Sequence, residues 1–151
     1  MADGNGRPGE REGTRQAMAT KAEAVEQISV FLENRPGVVA DLCSALIESE
    51  INIRAVTILD TTDIGTLRMV VDSPDKAKES LKNAGAAYMV VPVVVLPIKN
   101  TPGGFAEVAR TFAKHDVNIE YVYASADPGA ERSLGIFRVD NVEKALSISF
   151  P

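Results

Sequence analysis

Residues 28–39 read ISVFLENRPGVV, and they contain the strand, the turn and the helix start from which the fold can be argued. Ile28, Val30 and Leu32 recur at every second position, which predicts a β-strand. The turn residues at 34–37, Asn-Arg-Pro-Gly, end that strand. From residue 38 to about residue 49, apolar side chains follow the i, i+3, i+4, i+7 spacing of an amphipathic helix. The stretch therefore predicts a strand that leads through a tight turn into a helix.

The residues that follow complete a ferredoxin-like order of elements. Their patterns predict strands over residues 51–59, 66–71 and 86–91, with a turn over residues 60–64. A second helix begins at Ser73 and Pro74, a cap followed by a proline at the first helical position, and it ends at Gly85. The order is βαββαβ, which is typical of an antiparallel sheet with two helices on one face.

The rest of the chain repeats this unit. Matching residues recur at a constant offset of 66 (100−34): Asn34 and Asn100, Pro36 and Pro102, Gly37 and Gly103, Ala40 and Ala106, Asn52 and Asn118, Ile53 and Ile119. After a loop over residues 126–132 that holds two extra residues, the offset becomes 68 (140−72). The sequence therefore predicts an α+β protein of two tandem ferredoxin-like units, called unit 1 (residues 27–92) and unit 2 (residues 93–151).

Unit 2 is predicted to lack its last strand. By the offset, its second helix begins near Asn141 and is still running at Phe150, which leaves no residues for a fourth strand. Pro97 agrees with a first strand at a sheet edge, because proline removes a ladder hydrogen bond. A competing interpretation takes residues 146–150 as a short strand, since apolar and polar residues alternate there.

The N-terminal segment, residues 1–26, is predicted to be a disordered tail. Its first twenty positions are rich in Gly, Arg and Glu and show no hydrophobic period. It contains no apolar stretch of the kind found in signal peptides. The longest apolar run of the chain, residues 84–98, is shorter than the roughly 20 residues of a membrane-spanning helix. These features predict a cytoplasmic protein without a membrane partner.

Composition argues against several classes of partner and chemistry. Sixteen Lys and Arg against twenty-one Asp and Glu give a net charge of −5, and there is no basic block, so nucleic acid is not expected as a partner. Nucleotide-binding and catalytic signature motifs are absent from the sequence. One cysteine and one histidine predict neither a metal site nor a cofactor site. A small enzyme that uses Cys43 or His115 remains an alternative, although Cys43 lies on the apolar helix face.

The turn at 34–37 and its copy at 100–104 admit two interpretations. In the first, Asn or Thr caps a helix, Pro sets the first turn and Gly relieves crowding. In the second, the glycine lets a ligand carboxylate approach the backbone N–H groups of the helix start. Asn34 or Asn100 would then accept a hydrogen bond from an α-ammonium through its side-chain oxygen. Asn52 and Asn118 each open a strand, where a cap or turn role is the alternative to ligand binding.

The turn motif, together with Asn52-Ile53 and its copy, resembles the opening of an ACT domain. ACT domains are βαββαβ regulatory modules that sense amino acids and related metabolites, with ligands at interfaces between units. Carried over by motif, the resemblance implicates Asn34, Pro36, Gly37, Val38 and Asn52, and in unit 2 Asn100, Pro102, Gly103, Gly104 and Asn118. Arg35 is not part of the motif and is added as a carboxylate partner on its charge alone.

The resemblance implies a non-catalytic, free-standing sensor or regulatory protein. Its expected ligand is a free amino acid, and its expected partners are a metabolic enzyme and a second copy of the chain in a homodimer. One alternative is a regulatory subunit resembling that of acetolactate synthase, although such subunits carry one ACT unit followed by a different domain. Another alternative is a purely structural assembly module.

Overall fold

The computed structural model describes residues 20–59 and 64–151. In chain order these residues form β1 (Thr20–Lys21), β2 (Glu23–Glu33), α1 (Val38–Glu48), β3 (Ile53–Leu59), β4 (Ile64–Val71), α2 (Pro74–Asn83), β5 (Ala87–Lys99), α3 (Gly104–Lys114), β6 (Ile119–Ser125), β7 (Arg132–Val139), α4 (Val142–Leu146) and β8 (Ser149–Phe150). None of the helices in these two ranges combines the length and the apolar character needed to cross a membrane.

Six strands form one antiparallel sheet in the order β3-β4-β2-β5-β7-β6, and β1 pairs separately with β8. In unit 1 the first half of β5 lies beside β2, which gives the ferredoxin-like order of four strands. In unit 2 the second half of β5 begins the same arrangement, with β7 and then β6 beside it. The predicted fold class, two ferredoxin-like units in tandem, is confirmed.

The two units are related about a single pair of residues. Glu26 of β2 pairs with Pro92 of β5 in an antiparallel ladder, and their numbers differ by 66 (92−26), which is the offset of the sequence repeat. The repeat therefore places a local two-fold axis at this pair. Because β5 runs unbroken through residues 92 and 93, one continuous strand joins the units, with no linker between them.

The place of the fourth strand in unit 2 is taken by the start of β2. Residues 23–25 pair with Val95, Val94 and Val93 of β5, on the side where a fourth strand of unit 2 would lie. The tail assigned to residues 1–26 is therefore too long, because β1 and the start of β2 lie within it. Residues 1–19 lie outside the described residues.

The predicted continuation of the last helix to Phe150 is wrong. The helix α4 ends at Leu146, and its first turn is capped by the Asn141 side chain, which accepts a hydrogen bond from the N–H of Lys144 at 2.9 Å. Ile148 and Phe150 then turn into the core of unit 2, and β8 pairs with β1. The competing strand interpretation holds for the last two of its five residues. The alternation of apolar and polar residues at 146–150 is compatible with a helix or a strand, and the burial of Phe150 in the core of unit 2 favours the strand at its end.

The cores of the two units differ in character. In unit 1 the helix face of the sheet buries aliphatic side chains and Met69 beneath α1 and α2. In unit 2 the corresponding core is aromatic, with the rings of Phe112 and Phe137 5.2 Å apart and those of Phe112 and Phe150 4.8 Å apart. The repeated backbone is therefore filled in two different ways.

The face of the sheet opposite the helices is folded over on itself. Arg68 of β4 lies 3.8 Å from the ring centre of Tyr121 on β6, although β4 and β6 are four positions apart in the sheet. Since neighbouring strands are about 4.8 Å apart, a flat sheet would keep these residues far from each other. The sheet therefore curls until β6 comes close to the open face of unit 1.

A polar cluster lies inside this fold. The Gln27 side chain is fully buried; its Nε2 donates to Tyr121 Oη at 2.8 Å and to Ser29 Oγ at 3.2 Å. The Tyr123 hydroxyl donates to Gln27 Oε1 at 3.0 Å. Burial, with a smaller contribution from Tyr121, raises the pKa of Tyr123 well above its usual range. Gln27 therefore joins the two units through hydrogen bonds that satisfy its whole amide group.

Candidate functional site

The turn between β2 and α1 is held open by a left-handed glycine. Gly37 is the N-cap of α1 with φ of 89°, and its carbonyl accepts a hydrogen bond from the N–H of Asp41 at 2.9 Å. L-residues pay a steric cost in this region, so the turn requires glycine for its backbone. The cap also has no side chain, which leaves the start of α1 uncovered by a capping group. Gly103 repeats this conformation at α3 with φ of 88°.

A small cavity of about 180 Å³ adjoins the turn of unit 1. It brings together Asn34, Arg35 and Val38, three of the residues that the sequence singled out, while Pro36 and Gly37 belong to the same turn. Arg35 Nε lies 3.0 Å from Glu33 Oε2 in an exposed ion pair. Such pairs contribute little to stability, so the guanidinium can exchange this partner for another carboxylate at small cost.

Asn52 does not lie at this turn within the chain. The turn follows Glu33, which pairs with Ile64, whereas Asn52 precedes Ile53, which pairs with Val71 at the other end of β4. The Asn52 N–H donates to Asp72 Oδ1 at 3.0 Å, and the Asp72 N–H donates to the Asn52 carbonyl at 3.1 Å. Asn52 therefore closes the strand end through its backbone.

Asn118 repeats the arrangement of Asn52 in unit 2. Its N–H donates to Asp140 Oδ1 at 2.9 Å, and the Asp140 N–H donates to the Asn118 carbonyl at 3.1 Å. These contacts explain why an aspartate recurs at this place in both units: its side chain and backbone fasten two neighbouring strand ends. They also supply a structural role for Asn118 that needs no ligand.

The turn of unit 2 forms side-chain hydrogen bonds with a loop of the same chain. The Asn100 side chain donates through Nδ2 to the carbonyls of Asp127 and Ala130, both at 2.9 Å, so the loop with two extra residues folds against the turn. Gly104 packs so closely that a Cβ at this position would collide with the carbonyl oxygen of Lys99. Gly104 thus serves close packing of α3 on β5, whereas its counterpart in unit 1 is Val38. Pro102 and Gly103 form the turn before it.

A second cavity, of about 350 Å³, lies beside the first one in unit 1. It is apolar and lies between α1 and the sheet, lined by Val39, Leu42, Cys43, Ile53, Val56, Thr57, Ile58, Leu67 and Met69. Val39 and Ile58 line both cavities. This space is not predictable from one stretch of sequence, because its walls come from α1, β3 and β4. The sequence signals for this cavity are apolar residues four positions apart on α1 (Val39 and Cys43) and two positions apart on β3.

The two residues considered for catalysis, Cys43 and His115, lie in different places in the fold. Cys43 is half-buried in the wall of the apolar cavity. His115 is exposed after the end of α3, where its Nδ1 lies 2.8 Å from the Thr111 carbonyl oxygen. Within residues 20–59 and 64–151, no group of three or more His, Cys, Asp or Glu side chains is arranged to hold a metal ion.

A comparison of the sequence with known protein families agrees with the two glycine turns and with the ladder that joins the units. The sequence matches the family described as an ACT domain pair over residues 23–150. The chain belongs to the ACT domain pair family. The match begins at Glu23, where β2 begins, so the segment that completes unit 2 is part of the matched pair.

Solved structures share the fold of this ACT pair. Protein BT0572 from Bacteroides thetaiotaomicron is 30% identical, with a TM-score of 0.78 over 86% of this chain and 93% of that chain. The ligand-free regulatory subunit of aspartate kinase from Thermus thermophilus is 20% identical, with a TM-score of 0.61 over 85% of this chain and 94% of that one. The second likeness shows the fold alone. No curated protein sequence matches the chain.

Proposed function

We propose that this ACT pair is a non-catalytic regulatory protein that binds a free amino acid at the turn of unit 1. The observation that carries the proposal is the turn cavity, whose lining includes Asn34 and Arg35, beside an apolar cavity that shares Val39 and Ile58 with it. A free amino acid has matching parts, with two charged groups on one carbon and a side chain pointing away from them. The neighbouring apolar walls favour an aliphatic or aromatic side chain.

The α-carboxylate of the ligand is assigned to the start of α1. Backbone N–H groups and the helix dipole favour an anion at a helix N-terminus, and the glycine cap leaves room for it. Arg35 adds a cationic group in the same cavity. Asn34 lines that cavity as well, and its side-chain oxygen is an acceptor of the kind that an α-ammonium requires.

The regulated partner is proposed to be an enzyme of amino-acid metabolism in the cytoplasm. The support is the fold that the chain shares with a regulatory subunit of aspartate kinase. A subunit like that of acetolactate synthase is a weaker candidate, because here the second half repeats the first. A purely structural module is the remaining alternative, and it differs from a sensor in binding no amino acid.

A thermal-shift screen with the standard amino acids separates the sensor from the structural module. Because a ligand that binds only the folded state stabilises it by mass action, we expect the melting temperature to rise with concentration for some of them. Asn34→Ala is expected to weaken this binding roughly five- to a hundredfold if the ligand ammonium loses its acceptor. Failure of every amino acid at millimolar concentration to shift the wild-type chain would contradict the proposal.

A homodimer is proposed as the working assembly. The strands β3 and β6 form the two edges of the six-stranded sheet, and no described strand pairs with their outer sides. Exposed strand edges are usually covered in folded proteins. Light scattering at high concentration is expected to give twice the mass of the chain. A monomeric mass would contradict this assignment.

A further inference from the structure

The two units can be compared position by position where the first helix faces the sheet. The offset of 66 relates Val39 on α1 to Phe105 on α3 (105−39). The offset of 68 relates Met69 on β4 to Phe137 on β7 (137−69), and it relates Leu67 to Gly135 (135−67). These three pairs show how each unit fills the same space.

In unit 2 the chain fills this space with its own aromatic rings. Phe105 stacks on Phe137, with ring centres 6.2 Å apart and an angle of 14° between the planes. The Phe137 ring lies over Gly135, where an added Cβ would be 2.6 Å from Phe137 Cε2. Phe137 is fully buried as a result. A side chain at position 135 would collide with this ring and with Ile98 Cδ1, so the glycine leaves room for both.

In unit 1 the same space is open. Val39 stands at the position of Phe105, and Met69 stands at the position of Phe137. The apolar cavity of about 350 Å³ lies between the helix and the sheet. This volume falls within the range of roughly 300–1,000 Å³ that is usual for small-molecule sites. Val39 is 37% exposed and Ile58 is 52% exposed, so the mouth of the cavity opens to solvent beside the turn. The lining contains no Asp, Glu, Lys or Arg, which disfavours a charged side chain.

We propose that this cavity accepts the aromatic side chain of the bound amino acid, and that unit 2 has no equivalent site because Phe105 and Phe137 occupy it. The proposal rests on the proposed function, which places the α-groups of the ligand at the neighbouring turn. The ligand ring lies against Met69 as Phe105 lies against Phe137, and the Met thioether is a favourable neighbour for an aromatic ring. The chain thus binds one aromatic amino acid per copy, in unit 1.

Isothermal titration with L-phenylalanine and with L-alanine tests the proposal on three chains. Wild type is expected to bind L-phenylalanine at one site per chain, at least about tenfold more tightly than L-alanine, because an apolar cavity discriminates by side-chain size. Val39→Phe copies the residue of unit 2 into unit 1 and is expected to weaken L-phenylalanine binding by about tenfold or more, since it fills the cavity. Phe105→Val is the matched control in unit 2, and it is expected to retain the wild-type affinity.

A second variant protects the test against a folding defect. Cys43→Leu narrows the cavity from the next turn of α1 and is expected to weaken L-phenylalanine binding while L-alanine binding stays unchanged. If wild type binds amino acids without preferring the aromatic side chain, or if Val39→Phe binds as wild type does, the cavity assignment is overturned and the proposed function stands. If wild type binds neither amino acid and the screen of all amino acids is also negative, the cavity assignment and the proposed function are both overturned.

Discussion

A chain that begins at Gln27 is expected to lose about 4–6 kcal/mol of unfolding free energy relative to one that begins at Met18, from the ladder hydrogen bonds and apolar burial it gives up. The shorter chain lacks β1 and the start of β2, which pair with β8 and with residues 92–95 of β5. It also loses Ala22, which packs on the core of unit 2, and Val25, which packs between the units. Since whole domains are stable by only about 5–15 kcal/mol, this loss is large.

Urea unfolding followed by circular dichroism measures the difference between the two chains. The chain that begins at Met18 serves as the control, because it keeps every strand and helix that the structure describes. It is expected to unfold at the same urea concentration as the 151-residue chain. Equal midpoints for the chains that begin at Gln27 and at Met18 would show that residues 20–26 do not complete unit 2.

Gln27→Leu is expected to lower the free energy of unfolding by about 2–3 kcal/mol, because it leaves hydroxyl groups without their buried partner. The Gln27 amide accepts from Tyr123 and donates to Tyr121 and Ser29, all between the two units. Leucine is similar in size to glutamine, so lost packing contributes little. The cost arises from Tyr121 and Tyr123, whose hydroxyls then lie in a partly buried space without an acceptor or donor.

A triple variant supplies the matched control for that prediction. Adding Tyr121→Phe and Tyr123→Phe to Gln27→Leu removes both tyrosine hydroxyls as well as the amide and leaves Ser29 as the one former partner of Gln27. Replacing hydrogen-bonded partners by apolar groups of the same shape is close to neutral. The triple variant is therefore expected to regain much of the stability that Gln27→Leu loses in urea unfolding. If the triple variant is less stable than Gln27→Leu, the tyrosine hydroxyls are not the source of the cost.

Much of the fold could be predicted from the sequence because the repeat is local and nearly constant. The alternation at residues 28–32, the spacing along α1 and the offset of 66 each follow from neighbouring residues. The role of residues 23–25 could not be predicted in this way, since their partners on β5 lie about seventy residues away. The end of α4 also depends on distant contacts, because Phe150 packs on Phe112.

The candidate site was predictable only in part, for the same reason. The turn at Asn34 and Gly37 is a short motif with its own backbone requirement, and the structure places it beside a cavity. The apolar cavity has walls from three elements, so no single stretch of sequence indicates it. Asn52 was included by motif, and its backbone contacts with Asp72 place it at the opposite end of the sheet.

The central claim is that a free amino acid binds at the turn of unit 1, and nitrogen-15 NMR during a titration with L-phenylalanine tests it most directly. Each backbone N–H reports its own surroundings, so the measurement locates the ligand as well as detecting it. We predict saturable shifts centred on residues 37–39 of the turn and residues 56–58 of β3, with the copy at residues 103–105 unchanged. Shifts centred on unit 2 would contradict the claim, as would no shifts with millimolar L-phenylalanine or with any amino acid that raises the melting temperature.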